Sequence, residues 1–139
     1  FFKNDKTLDN FILNLNENLK KNGIFVTTFI DGNSLLSKVN NAKYKTNIVD
    51  IKVGKLNNKL TGNKVSVALK GTKYFKQGKS NEYIVKSDQF IEKMAMNGFT
   101  VVENLQFSSF FGKVDGSNLM NEQDREYSFM HKVLVFKKN

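Results

Sequence analysis

Near the start of the chain, an apolar stripe at helical spacing leads directly into a strand-like run, and this constrains the fold more than any other feature. Leu8, Phe11, Ile12, Leu15 and Leu19 fall at i, i+3, i+4, i+7 and i+11, one face of a helix over Asp5–Lys21. Asp5 or Thr7 can cap its start. Lys20 and Lys21 suit the negative end of its dipole, and Gly23 is its stop. GIFVTTF follows, apolar enough to read as a strand buried on both faces. DGNSLLSKVNN then reads as a turn entering a short helix, with Asp31 or Asn33 as its cap. Helix, strand, turn, helix is the grammar of an α/β fold.

The middle of the chain changes period. TNIVDIKVG sets Ile48, Asp50 and Lys52 against Val49, Ile51 and Val53, and KVSVALK alternates again beyond the turn region KLNNKLTGNK. Two antiparallel strands, a hairpin-like insertion, are expected there. GTKYFKQGKSN reads as a Lys- and Gly-bearing loop. EYIVK reads as a strand and SDQFIEKMAMNG as a helix, with Ser87 as its cap, Phe90, Ile91 and Met94 as its apolar side, and Asn97-Gly98 as its stop. FTVVENLQF is a strand, SSFFGKVDGSNLMNEQDREY a long polar connection with a short helix near its end, and HKVLVFKK a final strand. The 139 residues hold no repeat and no proline linker, which suggests one domain or part of one.

Composition removes several chemistries. Without cysteine there is no disulfide scaffold and no thiolate zinc site, and His131, the one histidine, excludes multi-histidine metal sites. No metal is expected. No apolar run approaches membrane-spanning length and no secretory signal opens the chain, so no membrane partner is expected either. FFKNDK reads like the middle of a longer polypeptide. The phosphate-cradling G-x-x-x-x-G-K, the dinucleotide G-x-G-x-x-G and the nucleophile elbow are absent. DGN and DGSN lack the later ligands of a calcium loop and read as turns. The net charge of +9 attracts phosphate and nucleic acid. A codon bias toward A/T explains the same lysine excess, since Arg125 is the only arginine.

Three segments carry a narrower likeness. FFKNDKTLDNFILNLNENLKKNGIFVTTFIDGN resembles a helix followed by L-x-x-G-G-x-F-I-x-T and a Pro- or Asp-Gly-bearing turn. NEYIVKSDQFIEKMAMNGF resembles E-Y-L-V followed by a helix and G-F. NEQDREYSFMHKVLVFKKN resembles a closing E-x-x-x-x-x-Y-x-V-F-x-F-x-K. In this order they resemble the mRNA cap guanine-N7 methyltransferases, including those of viral capping enzymes. The segments cover most of the chain but not the central insertion. The resemblance implies the C-terminal half of a class I, Rossmann-like S-adenosylmethionine-dependent methyltransferase domain, a mixed sheet whose closing strand is antiparallel. FTVVENLQF and HKVLVFKK would form that closing pair.

The resemblance also implies roles for individual residues. Glu82, the acid of E-Y-L-V, would accept hydrogen bonds from guanine N1–H and N2–H, a donor pair that a carboxylate matches and adenine lacks. A solvated acid at a strand edge is the alternative. His131 falls where the family usually has Tyr beside the guanine, and a structural role is equally open to it. Ile30 falls where many relatives have a Pro walling the same pocket. Tyr83 would pack nearby or in the core. Lys70, Lys73 and Lys76 could meet the cap triphosphate or form a solvated loop. The glycine-rich cofactor motif, the ribose-binding acid and a Q-F-x-x-H-Y segment would all precede Phe1. S-adenosylmethionine would therefore be bound mainly upstream, and the chain alone would be inactive. Implied partners are 5′-capped RNA, the N-terminal half of the same domain, and other capping-enzyme domains or a stimulatory subunit. A cytoplasmic site (viral factory or virion) or a nuclear one would be implied, and not secretion. A basic, non-catalytic RNA-binding or stimulatory subunit with a degenerate methyltransferase shape remains the alternative function.

Overall fold

The computed structural model, which describes residues 1–71 and 78–139, opens with helix α1 (Asp5–Asn18). Its cap is Asn4, whose side chain accepts the Thr7 N–H at 3.0 Å, while the Thr7 hydroxyl accepts the Asn4 N–H at 3.3 Å. Asp5 is already helical and accepts the Thr61 hydroxyl at 2.6 Å. The expected stripe does pack: Leu8 and Ile12 are buried, with Phe11, Leu15 and Leu19 against the same core. Lys20 and Lys21 are exposed; the last carbonyls of α1 are met instead by Lys138, whose ammonium donates to Leu19 O at 2.8 Å.

The order continues β1 (Ile24–Ile30), α2 (Gly32–Lys38), β2 (Lys43–Lys45), β3 (Val49–Val53), β4 (Lys64–Leu69), β5 (Ser80–Tyr83), α3 (Ser87–Ala95), β6 (Phe99–Gln106), α4 (Glu122–Ser128) and β7 (His131–Lys138). The connection from β6 to α4 carries 3-10 turns at Phe107–Phe110 and Ser117–Leu119, and DGSN supplies the entry to the second, with Gly116 at φ 78°.

Two antiparallel sheets form. One has the order β1-β7-β6, the other β2-β3-β4-β5. The expected closing pair is present, since β6 and β7 run antiparallel from Phe99↔Lys138 to Gln106↔Lys132. The chain combines helices with strands, the coarser part of the α/β expectation, but the Rossmann-like arrangement is not shown. The expected mixed sheet does not form: every pairing between the described strands is antiparallel, and the isolated Asp31↔Val85 bridge is parallel. The central insertion is also larger than a hairpin, because β2 and β5 flank the β3–β4 pair.

β1 corrects another expectation. Its burial alternates, with Ile24 and Val26 more than half exposed and Phe29 at 4%. Helices α1 and α3 cover one face of its sheet, where Phe29, Leu134 and Phe136 meet Leu8, Ile12, Phe90 and Met94. An apolar run thus served a one-faced edge strand. A second core lies under the four-stranded sheet, where Leu35 of α2 and Met130 meet Tyr44, Ile51, Val65 and Val67. Adjacent residues join the two cores, Ile84 entering the second and Val85 the first.

Candidate functional site

Strand β5 is the edge of the four-stranded sheet, and its register decides where the acid points. Glu82 stands opposite Val65, and Tyr83 opposite Lys64. Val65 is buried and Lys64 exposed. Side chains alternate along a strand, so Glu82 lies on the apolar side of the sheet and Tyr83 on the lysine side. Glu82 borders a cavity of about 50 Å³ whose lining includes Ile30, Leu35, Ile51, Tyr83 and Phe1. Tyr83 brings its carbonyl there, accepting the Phe1 amino group at 3.0 Å.

His131 joins this neighbourhood through the other sheet, since Ile30 is its direct partner across β1 and β7. The imidazole stacks on Phe107 at 5.3 Å and meets Tyr127 edge-on at 5.1 Å. Its Nδ1 lies 3.2 Å from Tyr127 O and 3.1 Å from Ser128 O. Both neighbours are acceptors, so Nδ1 carries the proton and Nε2 of the neutral ring keeps its lone pair. Burial holds the His131 pKa below its usual value, against the pull of the Ser128 and Tyr127 carbonyls.

Charge links the acid to the same cluster. Burial raises the Tyr127 phenol, and the Glu82 carboxylate raises it further. Glu82 itself is exposed and makes no hydrogen bond or ion pair to a described residue. The arrangement is a carboxylate at the mouth of an apolar cleft, with the Tyr127 phenol near enough to feel its charge and the His131 imidazole packed on that phenol, neither ring being in the cavity lining. Tyr127 and Phe107 were not singled out from the sequence. The available signal for Tyr127 was its position four residues before His131.

Lys70 is not in the lining of this cavity. It is exposed, donates to Thr46 O at 3.0 Å, and borders a separate polar groove of about 410 Å³ with Lys45, Gln123 and Glu126. Lys73 and Lys76 lie outside the described residues. A third cavity of about 330 Å³ is lined by Phe107, Phe110, Phe111, Met120 and Phe129, with no acid or cation in its lining. Neither this cavity nor the small one fits S-adenosylmethionine. The first has no carboxylate to accept the ribose hydroxyls, only the Ser117 and Ser128 side chains in an otherwise apolar lining, and the second is far below the ~300 Å³ of ordinary ligand sites. No helix among the described residues is long and apolar enough to cross a membrane.

No family model matches the chain. No curated protein matches it. Among solved structures it is similar to a S-adenosylmethionine-dependent methyltransferase from Clostridium acetobutylicum ATCC 824, with a TM-score of 0.47 and 9% identity, over 98% of this chain and 52% of that one. The chain spans about half the length of that protein.

Proposed function

We propose that this chain is the C-terminal part of a cap guanine-N7 methyltransferase domain, and that its share of the work is to hold the guanine. The whole enzyme would move a methyl group from S-adenosylmethionine to N7 of the terminal guanosine of capped RNA. The observation that carries the reading is Glu82. Its carboxylate is on the apolar side of an edge strand, beside Ile30 at one cavity, with no described protein donor on its oxygens.

Guanine offers N1–H and N2–H side by side, and an ionised acceptor makes the stronger bonds to such a pair. Ile30 would wall the base, and His131 would approach from β7 and Tyr127 from α4. Guanine N7 already has its lone pair, so the chain need supply no general base; orientation is its contribution. The cavity of about 50 Å³ is too small for a purine by itself. The base would lie at its mouth, against a wall that the upstream half provides. That half would also hold the cofactor. The bare edge of β1, with Ile24 and Val26 exposed beside it, is where a further strand could pair. Other capping-enzyme domains or a stimulatory subunit would complete the assembly, in the cytoplasm or nucleus.

The test is made in the complete enzyme. Glu82→Ala should lower methylation of capped RNA by about 10- to 100-fold, the worth of a charged hydrogen bond, with cofactor binding intact. Glu82→Gln should also be poor, because its amide turns a donor toward guanine's donors. Turnover of Glu82→Ala close to that of the native enzyme would end the proposal. The alternative function, a non-catalytic RNA-binding module, would be favoured if the complete protein bound capped RNA but transferred no methyl group.

A further inference from the structure

The four-stranded sheet has a second face that the guanine cleft does not use. Its rows are set by the strand register. Lys43, Lys52, Ser66 and Asn81 stand in one row across the strands; Lys45, Asp50 and Ala68 form the next; Lys64 and Tyr83 form a third. Lys43, Lys45, Lys52 and Lys64 are all exposed. Asp50 is the sole acid in these rows, and Lys79 already holds it at 3.6 Å. Between the lysines lie the small side chains of Ser66 and Ala68. The face is therefore low in relief and of one sign.

Two ordinary explanations fall short. Lysines on edge strands block pairing with other chains, and Lys43 and Lys45 on β2 fit that account. Lys52 and Lys64 do not, since β3 and β4 are interior strands. A solvated face would also mix its charges. Here Lys43 and Lys52 are direct cross-strand partners, a like-charge pairing that disfavours a sheet and that an anion between the two ammonium groups would relieve. Beyond Lys45 the face opens into the polar groove bordered by Lys70, where Glu126 is engaged by Lys38 at 3.1 Å. The cationic surface thus continues past the sheet edge. At the opposite side Tyr83 sets a half-buried aromatic ring in the same row as Lys64, a pairing that suits phosphate beside a stacked base.

We propose that this outer face binds the phosphate backbone of single-stranded RNA. The preference for a polyanion rests on the charge of the face. The choice of RNA rests on the proposed function, but the binding requires no cap. The face would hold the transcript while Glu82, on the other side of the same sheet, would hold the base at its end.

The experiment uses the complete protein and an uncapped, fluorescently labelled 20-nucleotide RNA. Binding is followed by anisotropy across a salt series. The triple variant Lys43→Ala, Lys52→Ala, Lys64→Ala should weaken binding at least about tenfold and flatten the slope of log K against log salt by about 2, near 0.7 for each phosphate no longer neutralised. A charge-matched control, Lys20→Ala, Lys21→Ala, Lys113→Ala, lies on the turn after α1 and on the connection after β6. It should stay within about twofold of native with its slope unchanged. Equal losses in the two triples would overturn the proposal, because net charge alone would explain the binding. So would native protein that fails to bind the RNA, or that binds polyglutamate as tightly, which would point to an acidic protein surface instead. Because the probe has no cap, failure here would leave the role of Glu82 standing, and failure of the Glu82 test would leave this face standing.

Discussion

Asp31 Oδ1 accepts the backbone N–H of Ser87 at 3.0 Å, across 56 residues of sequence. The other oxygen, Oδ2, accepts the N–H and hydroxyl of Ser34 at 3.2 and 3.0 Å. One carboxylate, 2% exposed, thus serves the first turns of both α2 and α3. Two positive helix ends face it, which favours its charge. Ser87, expected as the cap of α3, is instead the first helical residue and the one being served. Asp31→Ala removes a cap, worth about 1 kcal/mol, and strands a buried N–H, worth about 1–3 kcal/mol. Urea unfolding should show a loss of about 2–4 kcal/mol, and Asp31→Asn should recover only part of it, because its one amide oxygen can accept at one helix start while its NH2 cannot accept at the other. A loss for Asp31→Ala within the scatter of ordinary surface variants would refute the double-cap reading.

Gly32, next in the chain, is needed for a different reason. A Cβ placed there would lie 3.0 Å from Val85 O and 3.2 Å from Val85 C. Its N–H already donates to the same oxygen at 2.7 Å. The two backbones touch where the first sheet meets the segment that joins the cores. Gly32→Ala should cost about 1–3 kcal/mol by forcing them apart. Gly71, whose Cβ would meet nothing within 4 Å, has a positive φ of 74° and serves as the comparison for simple strain. Amide exchange resolves the two effects. Gly32→Ala should speed exchange at Ser87 and Ile84, and Gly71→Ala should not.

Local periods were legible in the sequence. The stripe of α1, the alternation of β3 and β4, and the closing strands all appear where spacing predicts them, because each depends on neighbours within a few residues. Spacing does not carry partnership. Lys138 caps a helix 119 residues away, and Asp31 reaches Ser87 across 56. Both interactions exist only after the sheets have closed. β1 misled for a related reason: Ile24 and Val26 are as apolar as buried residues, and only the helices' placement shows that one face stays bare. The side of the sheet on which Glu82 lies depended on its pairing with Val65, which no local pattern specifies. Tyr127 was missed because its role depends on where the chain turns after α4.

The proximity of Glu82 and Tyr127 can be tested without reference to function. The phenol is raised first by burial and second by the Glu82 charge. Glu82→Gln removes the second cause and keeps the first. The Tyr127 phenol should then titrate lower than in the native protein but still above the ordinary value of 10.0. Ultraviolet titration of tyrosinate measures this, with Tyr127→Phe identifying which of the transitions belongs to it. An unmoved transition would separate the two groups and remove Tyr127 from the cleft.

His131 gives the chain a predicted acid sensitivity. Its neutral ring is favoured in the fold, because burial lowers its pKa from the ordinary 6.5. The unfolded chain therefore binds the proton more readily than the folded chain between the lowered value and 6.5. Where the unfolded state carries more protons, stability rises with pH. The contribution of His131 is thus fully present above about 6.5 and is lost as pH falls from there through the folded value. His131→Gln keeps a polar, uncharged side chain that can still donate toward the Tyr127 and Ser128 carbonyls, and it cannot titrate. Melting temperatures measured from pH 7.5 down to pH 5.0 should fall for both proteins, since carboxylates titrate in both, but more steeply for the native chain. The excess should begin near pH 6.5, where the free imidazole takes its proton. Parallel curves for the two proteins would mean that the imidazole is as easily protonated folded as unfolded, and that it is not enclosed between Phe107 and Tyr127.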